Sequence, residues 1–312
     1  MTMLQLIKQR FLQLILVVWG VGTLTFVLMR TLPGDMAYRI AASRYGQDNV
    51  DSVAAELVRQ ELGLDASWWQ SYVGWLTDLL QFNLGNSLVS GLPVIETVQH
   101  QLGHSILLAL TSVALASALA ILFGVLSAFR QGVLDHSFLW LSTLIRSMPV
   151  FVIGLMLILL FAVLWPILPV AGFGTWQHLI LPTLALALSL AAVSNRVVRN
   201  NTLKVIHTPF YQFAKLKGLS PSQVFIRHGI RNISVPVIAF IGIQLVTVIE
   251  GIVMIESLFS WPGIGHGLAH AIFARDIPVI QGCALMMGIL FVLLNTGVDL
   301  LCHWIDPRGA KS

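Results

Sequence analysis

The chain has 312 residues, of which 56% are hydrophobic and 10% charged, with a formal net charge of +4. Soluble globular domains run near a quarter charged, so this composition excludes one and makes lipid the solvent. The positive balance does not read as nucleic-acid binding, because the basic residues are concentrated between apolar runs, where membrane topology accounts for them.

Six apolar segments are long enough to cross about 30 Å of hydrocarbon as helices. They cover residues 11–29, 105–129, 138–164, 179–198, 236–259 and 279–303. Lys8 and Arg10 precede the first. Its apolar run is long and no small-residue cleavage site follows closely, so it reads as a retained anchor with the N-terminus inside.

The first loop, 30–104, has helical structure of its own. Asp51 and Asp65 suit helix caps and Gly63 a helix stop. Trp68, Trp69, Tyr72, Trp75 and Leu76 recur at helical spacing. Two readings stand: a small helical domain at the membrane surface with its aromatics at the interface, or a docking surface for an external partner.

Between Arg196 and Arg231 lie seven Lys or Arg residues and no Asp or Glu. Such a basic loop between spans belongs on the cytoplasmic side. The N-terminus, 130–137, 196–231 and 306–312 together hold twelve Lys or Arg and two Asp, whereas 30–104 holds four Arg against eight acids. The asymmetry predicts both termini inside and loop 30–104 outside. Inside the basic loop, Gln212, Phe213, Ala214, Lys215, Leu216 and Lys217 form a short amphipathic segment with Gly218 as its stop. A cytosolic partner can grip it; the alternative is a loop lying on anionic headgroups.

Further along, Trp261 is followed by Pro262, Gly263, Ile264 and Gly265, a run that favours a sharp turn or a gate element near Arg275 and Asp276. His100/His104 and His266/His270 are two i,i+4 pairs, a spacing that places two rings on one helix face and can bind a transition metal. Cys283 and Cys302, about 28 Å apart along one helix, cannot pair with each other.

No Gly-Lys dipeptide occurs, hence no P-loop, and neither a G-x-S-x-G elbow nor an H-E-x-x-H motif is present. No catalytic residue and no cofactor are therefore assigned to this chain. A conduit fits better than a membrane enzyme. A stand-alone secondary transporter or channel is the alternative of another class, but it would usually show repeated halves.

The stretch 211–238, YQFAKLKGLSPSQVFIRHGIRNISVPVI, resembles the EAA loop of ABC-importer permeases, and in particular the dipeptide, oligopeptide and nickel branch. Ala214 and Gly218 keep the core spacing, and Arg227-His228, Arg231-Asn232 and Pro236 match that branch. Gln212 and Phe213 stand where the loop's first glutamate and alanine would be. Similar marks recur at Arg30 to Asp35, Leu62 to Asp65, Leu84-Gly85-x-Ser87, Ser147-Met148-Pro149, Leu179 to Pro182, Glu256 to Gly265, Arg275-Asp276-x-Pro278, Asn295-x3-Asp299 and Asp306-Pro307-Arg308.

The resemblance implies an all-α permease of the bacterial inner membrane. Residues 1–29 would form the N-terminal tail and first span, 30–104 an extracytoplasmic helical insert, and 105–312 a core of five spans. That core carries a cytoplasmic coupling helix between spans 4 and 5, within about 196–235. Implied partners are a second related permease in a heterodimer, two ATPase subunits that carry ATP and Mg, an external solute-binding protein, and lipid.

Arg146 and Glu250 depart from the family pattern, which has small or apolar residues there. Counted at about 1.5 Å per residue from the cytoplasmic ends, they lie roughly 12 and 20 Å deep. A lone charge at such depth is costly, so the two are expected to pair or to share a water-filled path, with Asn295 as a further path candidate. The run Trp176 to Pro182 and the chain length lean the cargo toward nickel or a metal chelate, with small peptides as the alternative.

Overall fold

The structure, a computed structural model, describes residues 3–31, 33–46, 48, 50–62, 67–81, 83–218 and 220–305. All regular elements among them are helical: α1 (Met3–Thr31), α2 (Met36–Tyr45), α3 (Ser52–Glu61), α4 (Trp68–Leu80), α5 (Val94–Phe129), α6 (Val133–Ser147), α7 (Val150–Ile158), α8 (Gln177–Ile206), α9 (Pro209–Leu216), α10 (Pro221–Val224), α11 (Ile230–Leu258), α12 (Ile264–Ala274) and α13 (Ile277–Ile305). π-Helical turns at Leu159–Leu164 and Phe225–Gly229 extend α7 and lead into α11. Gly63 and Asp65 lie outside the described residues.

Among the described residues five helices are long and apolar enough to span a membrane, and a bent pair makes up to six. The bent pair is the third span of the sequence reading. It is not one straight helix: Val133–Ser147 and Val150–Leu164 meet at 101°. The cause is local. Met148 precedes a proline and sits at φ −99°, ψ 136°, the extended conformation that a following proline imposes. Pro149 then starts α7, where its missing N–H costs nothing.

The chain forms two compact units, one of residues 3–105 and 262–293, the other mainly of 106–261 and 294–312. In the first unit, α4 lies along the C-terminal half of α1. The Thr23 and Tyr72 hydroxyls share a 2.9 Å hydrogen bond, and Arg30 donates to Ser71 Oγ at 2.7 Å. Phe26 meets the Tyr72 ring edge-on, and Trp75 fills the space that a Cβ on Gly22 would occupy. Trp68 and Trp69, at the start of α4, remain exposed. Asp51 caps α3 by accepting from Ala54 N–H at 2.8 Å. Asp35 caps α2 in the same way and also receives Arg59.

The second unit is organised on α8. Thirteen of its residues are buried, from Leu181 to Thr202, and it packs against α6, α7 and α11. Two side-chain amides there donate across helices. Asn195 Nδ2 donates to Ser142 Oγ at 2.8 Å, and Gln244 Nε2 donates to Leu190 O and Ser194 Oγ. Gly124 of α5 allows a close approach to α8, since a Cβ there would lie 2.6 Å from Asn195 O.

Candidate functional site

The amphipathic segment singled out in the sequence is helix α9, and its sequence explains its attachment. Pro209 occupies the first turn, and the Thr208 carbonyl accepts from Tyr211 N–H and Gln212 N–H. Tyr211 and Ala214 turn inward and are buried with Val224 against Val205 and Ile206. Burial pushes the Tyr211 phenol above its ordinary value near 10, so it is neutral. Gln212 donates its side-chain amide to Ile206 O at 2.7 Å, tying α9 back to the end of α8.

The opposite face is apolar and open. Phe210 is 45% exposed, Phe213 59% and Leu216 84%, and the i, i+3, i+6 spacing lines them up. The Lys215 ammonium lies over the Tyr211 ring, 5.6 Å from its centroid, and that of Lys217 over Phe213 at 5.0 Å, two cation–π contacts made by exposed lysines. Gly218 follows at φ +84°, a left-handed stop that glycine adopts without penalty. Ser220 and Gln223 then form a reciprocal capping box at the start of α10.

The basic stretch 196–231 is mostly helix rather than loop, and its first two arginines serve a purpose that sequence reasoning missed. Arg196 and Arg199 both lie on α8 and converge on Asp135 of α6. Arg196 Nη1 reaches Oδ1 at 3.0 Å, and Arg199 engages both oxygens, with Nε at 2.8 Å from Oδ1. Ser127 of α5 donates to the same carboxylate. One buried acid thus joins three helices. The available signal was an aspartate beside an apolar span otherwise flanked by basic residues.

Arg146 stands exposed in the last turn of α6, next to the break. Its positive charge suits a helix C-terminus, and the depth counted along a straight span does not apply to a helix that ends one residue later. Glu250 is on α11, its side chain outside those described, so its pairing with Arg146 is not among the contacts seen. Asn295 is half-buried on α13.

The residues read as an outer loop are mostly tied down. Trp261 is buried edge-on to Phe173, and its N–H donates to Glu256 O at 2.9 Å. In the other unit, Gly263 precedes α12, whose Ile264 N–H donates to Ser105 Oγ, and Gly265 is buried. Arg275 closes α12 in the left-handed region at φ +56° and donates to the carbonyls of Pro33 and Gly34. Asp276 accepts from Ser87 Oγ and from Leu88 N–H at 3.1 Å.

Within this unit, His100, Glu96, His266 and His270 line a cleft of about 600 Å³. His266 and His270 approach through their Nε2 atoms at 3.1 Å. Burial, with the neighbouring His270, holds His266 below the ordinary imidazole value. His100 and His104 meet as rings, with centroids 4.7 Å apart. Among the described residues no group of three or more His, Cys, Asp or Glu is arranged to hold a metal ion.

Two family models match the chain. Residues 3–109 match the N-terminal domain of binding-protein-dependent transport system membrane components, and residues 120–311 match the binding-protein-dependent transport system inner membrane component. A probable peptide ABC transporter permease protein, y4tP, of Sinorhizobium fredii is 36% identical over 311 residues, covering 97% of this chain and 98% of its own. The glutathione transport system permease protein GsiC of Pectobacterium atrosepticum is 36% identical, and that of Escherichia coli K12 33%, each over 306 residues and 98% of both chains. Matched over nearly its whole length, the chain belongs to the binding-protein-dependent transport system inner membrane component family, the permease subunits of ABC importers.

Proposed function

We propose that this permease subunit passes small peptides, glutathione-like tripeptides included, across the bacterial inner membrane, and that α9 is the handle on which a separate ATPase acts. The peptide assignment corrects the lean toward nickel or a metal chelate. That lean rested on the 176–182 run and chain length, whereas the relatives named above are peptide and glutathione permeases.

The observation that carries the handle is the two-sidedness of α9. Its inner face is fixed to the chain by Tyr211 and Ala214, while Phe210, Phe213 and Leu216 remain open to a partner. About 25 cal/mol per Å² of apolar area buried makes such a face worth covering. Both termini and α9 then lie in the cytoplasm and 30–104 outside, as the charge asymmetry requires. A second permease, two ATPases and an external binding protein complete the importer. Arg146, Glu250 and Asn295 remain the residues proposed for the path, and the 262–276 region the element facing the binding protein.

Two measurements test this. In a strain lacking the native gene, the restored chain should support uptake of labelled glutathione or dipeptide but not of nickel; nickel uptake alone would overturn the cargo. Phe213→Glu with Leu216→Glu should leave the chain in the membrane yet strip at least 90% of the co-purifying ATPase. Full retention of the ATPase would refute the handle.

A further inference from the structure

We propose that His266 and His270 form a two-histidine site for one late first-row divalent metal ion, bound at the cleft and not carried through. The two imidazoles belong to α12, four residues apart, so one helix face presents both. Their Nε2 atoms are 3.1 Å apart. Two nitrogens bonded to one metal at about 2.0–2.1 Å and 90–109° stand roughly 2.8–3.4 Å apart, so the observed separation is already an edge of a coordination polyhedron. In the metal-free protein this contact needs one N–H and one lone pair. For a metal ion to take a lone pair from each ring, the donating ring carries its proton on Nδ1 instead, exchanged through solvent, so that both Nε2 atoms are free to bind.

The second histidine pair serves as the comparison for this site. His100 and His104 have the same i,i+4 relation and a similar ring geometry, with centroids 4.7 Å apart against 4.5 Å for His266 and His270. His266 is half-buried and His270 exposed, and both face a cleft of about 600 Å³. With only two protein ligands, the remaining positions fall to water or to a small ligand entering the cleft. Imidazole nitrogen favours copper, nickel and zinc over magnesium or calcium, and copper binds most tightly.

The experiment uses the permease purified in detergent with its partner subunits, on a tag without histidine, titrated with Cu2+. Calorimetry should give one ion per copy of this chain, and the electron paramagnetic spectrum should show two equivalent nitrogens. His266→Gln or His270→Gln should each weaken binding at least tenfold and remove the two-nitrogen pattern, while His100→Gln with His104→Gln should change affinity less than twofold. Cu2+ affinity equal in wild type and His266→Gln, or lost instead in the His100/His104 variant, would overturn the site. No transport is measured, so failure here leaves the peptide assignment untouched.

Discussion

Replacing Asp135 with asparagine should be the most damaging single change on α6. The substitution keeps the shape but removes the charge that two arginines share. The side chain of Asp135 is 9% exposed, and those of Arg196 and Arg199 are 24% and 20% exposed. Removing one partner of a buried ion pair costs about 3–5 kcal/mol, because the remaining charges stay desolvated without compensation. The arginines keep about a fifth of their surface in solvent, so roughly 2–4 kcal/mol is the reasonable range. At about 2–4 °C per kcal/mol, the apparent melting temperature in detergent should fall by roughly 4–16 °C. Arg199→Gln should cost more than Arg196→Gln, since Arg199 reaches both carboxylate oxygens. Asp135→Asn and Arg199→Gln together should cost clearly less than their sum, with coupling of about 1–3 kcal/mol. A melt of Asp135→Asn within 1 °C of wild type, as a rough limit of resolution, or strict additivity in the double variant, would refute the clasp.

Four further substitutions test the packing and hydrogen bonding elsewhere. Gly124→Ala places a methyl against the Asn195 carbonyl and Val198, backbone and a β-branched side chain that cannot give way; it should cost about 1–3 kcal/mol by overpacking, seen as a lower melting temperature. Gly103→Ala meets nothing within 4 Å and should be neutral or stabilising by up to about 1 kcal/mol, as in a helix interior. Ser87→Ala removes one donor from Asp276 and should cost about 1–2 kcal/mol. Asp276→Ala should cost more, because Ser87 Oγ and the backbone N–H groups at 88 and 89 all converge on that carboxylate. Limited proteolysis around residues 85–92 reads both.

Much of the architecture was legible because lipid enforces simple rules. A segment such as 105–129 must be helical to satisfy its backbone in hydrocarbon, and α5 is. The aromatics at 68–76 recur at helical spacing, and α4 begins at Trp68. Asp51 caps α3 as its position before an apolar-periodic run suggested. What failed was geometry set by one residue or by partners distant in sequence. The break at Met148-Pro149 was present in the sequence as a proline three residues after Arg146. Yet proline is common within membrane helices, and neighbours decide whether it kinks or ends one. Asp135 was counted as loop charge, because nothing local indicates that residues 61 and 64 positions later will return to it. The two histidine pairs are identical in spacing, and the side-chain geometry that sets the Nε2 atoms of His266 and His270 3.1 Å apart is not carried by sequence.

These details combine into a mechanical continuity within one unit. A displacement of α9 reaches α8 through rigid connections: Tyr211 and Ala214 packed on Val205 and Ile206, and the Gln212 amide on Ile206 O. From α8 it passes to α5 and α6 through Asp135, held by both arginines and Ser127, and to α11 through Gln244. A buried charge cluster can separate only by exposing unpaired charges, so it transmits motion as a unit instead of shearing. The basic residues at 196 and 199 therefore do more than mark topology. They fasten the end of α8 to the α5–α6 hairpin, so under the role proposed for α9 a push on that short helix would be expected to move three long ones together.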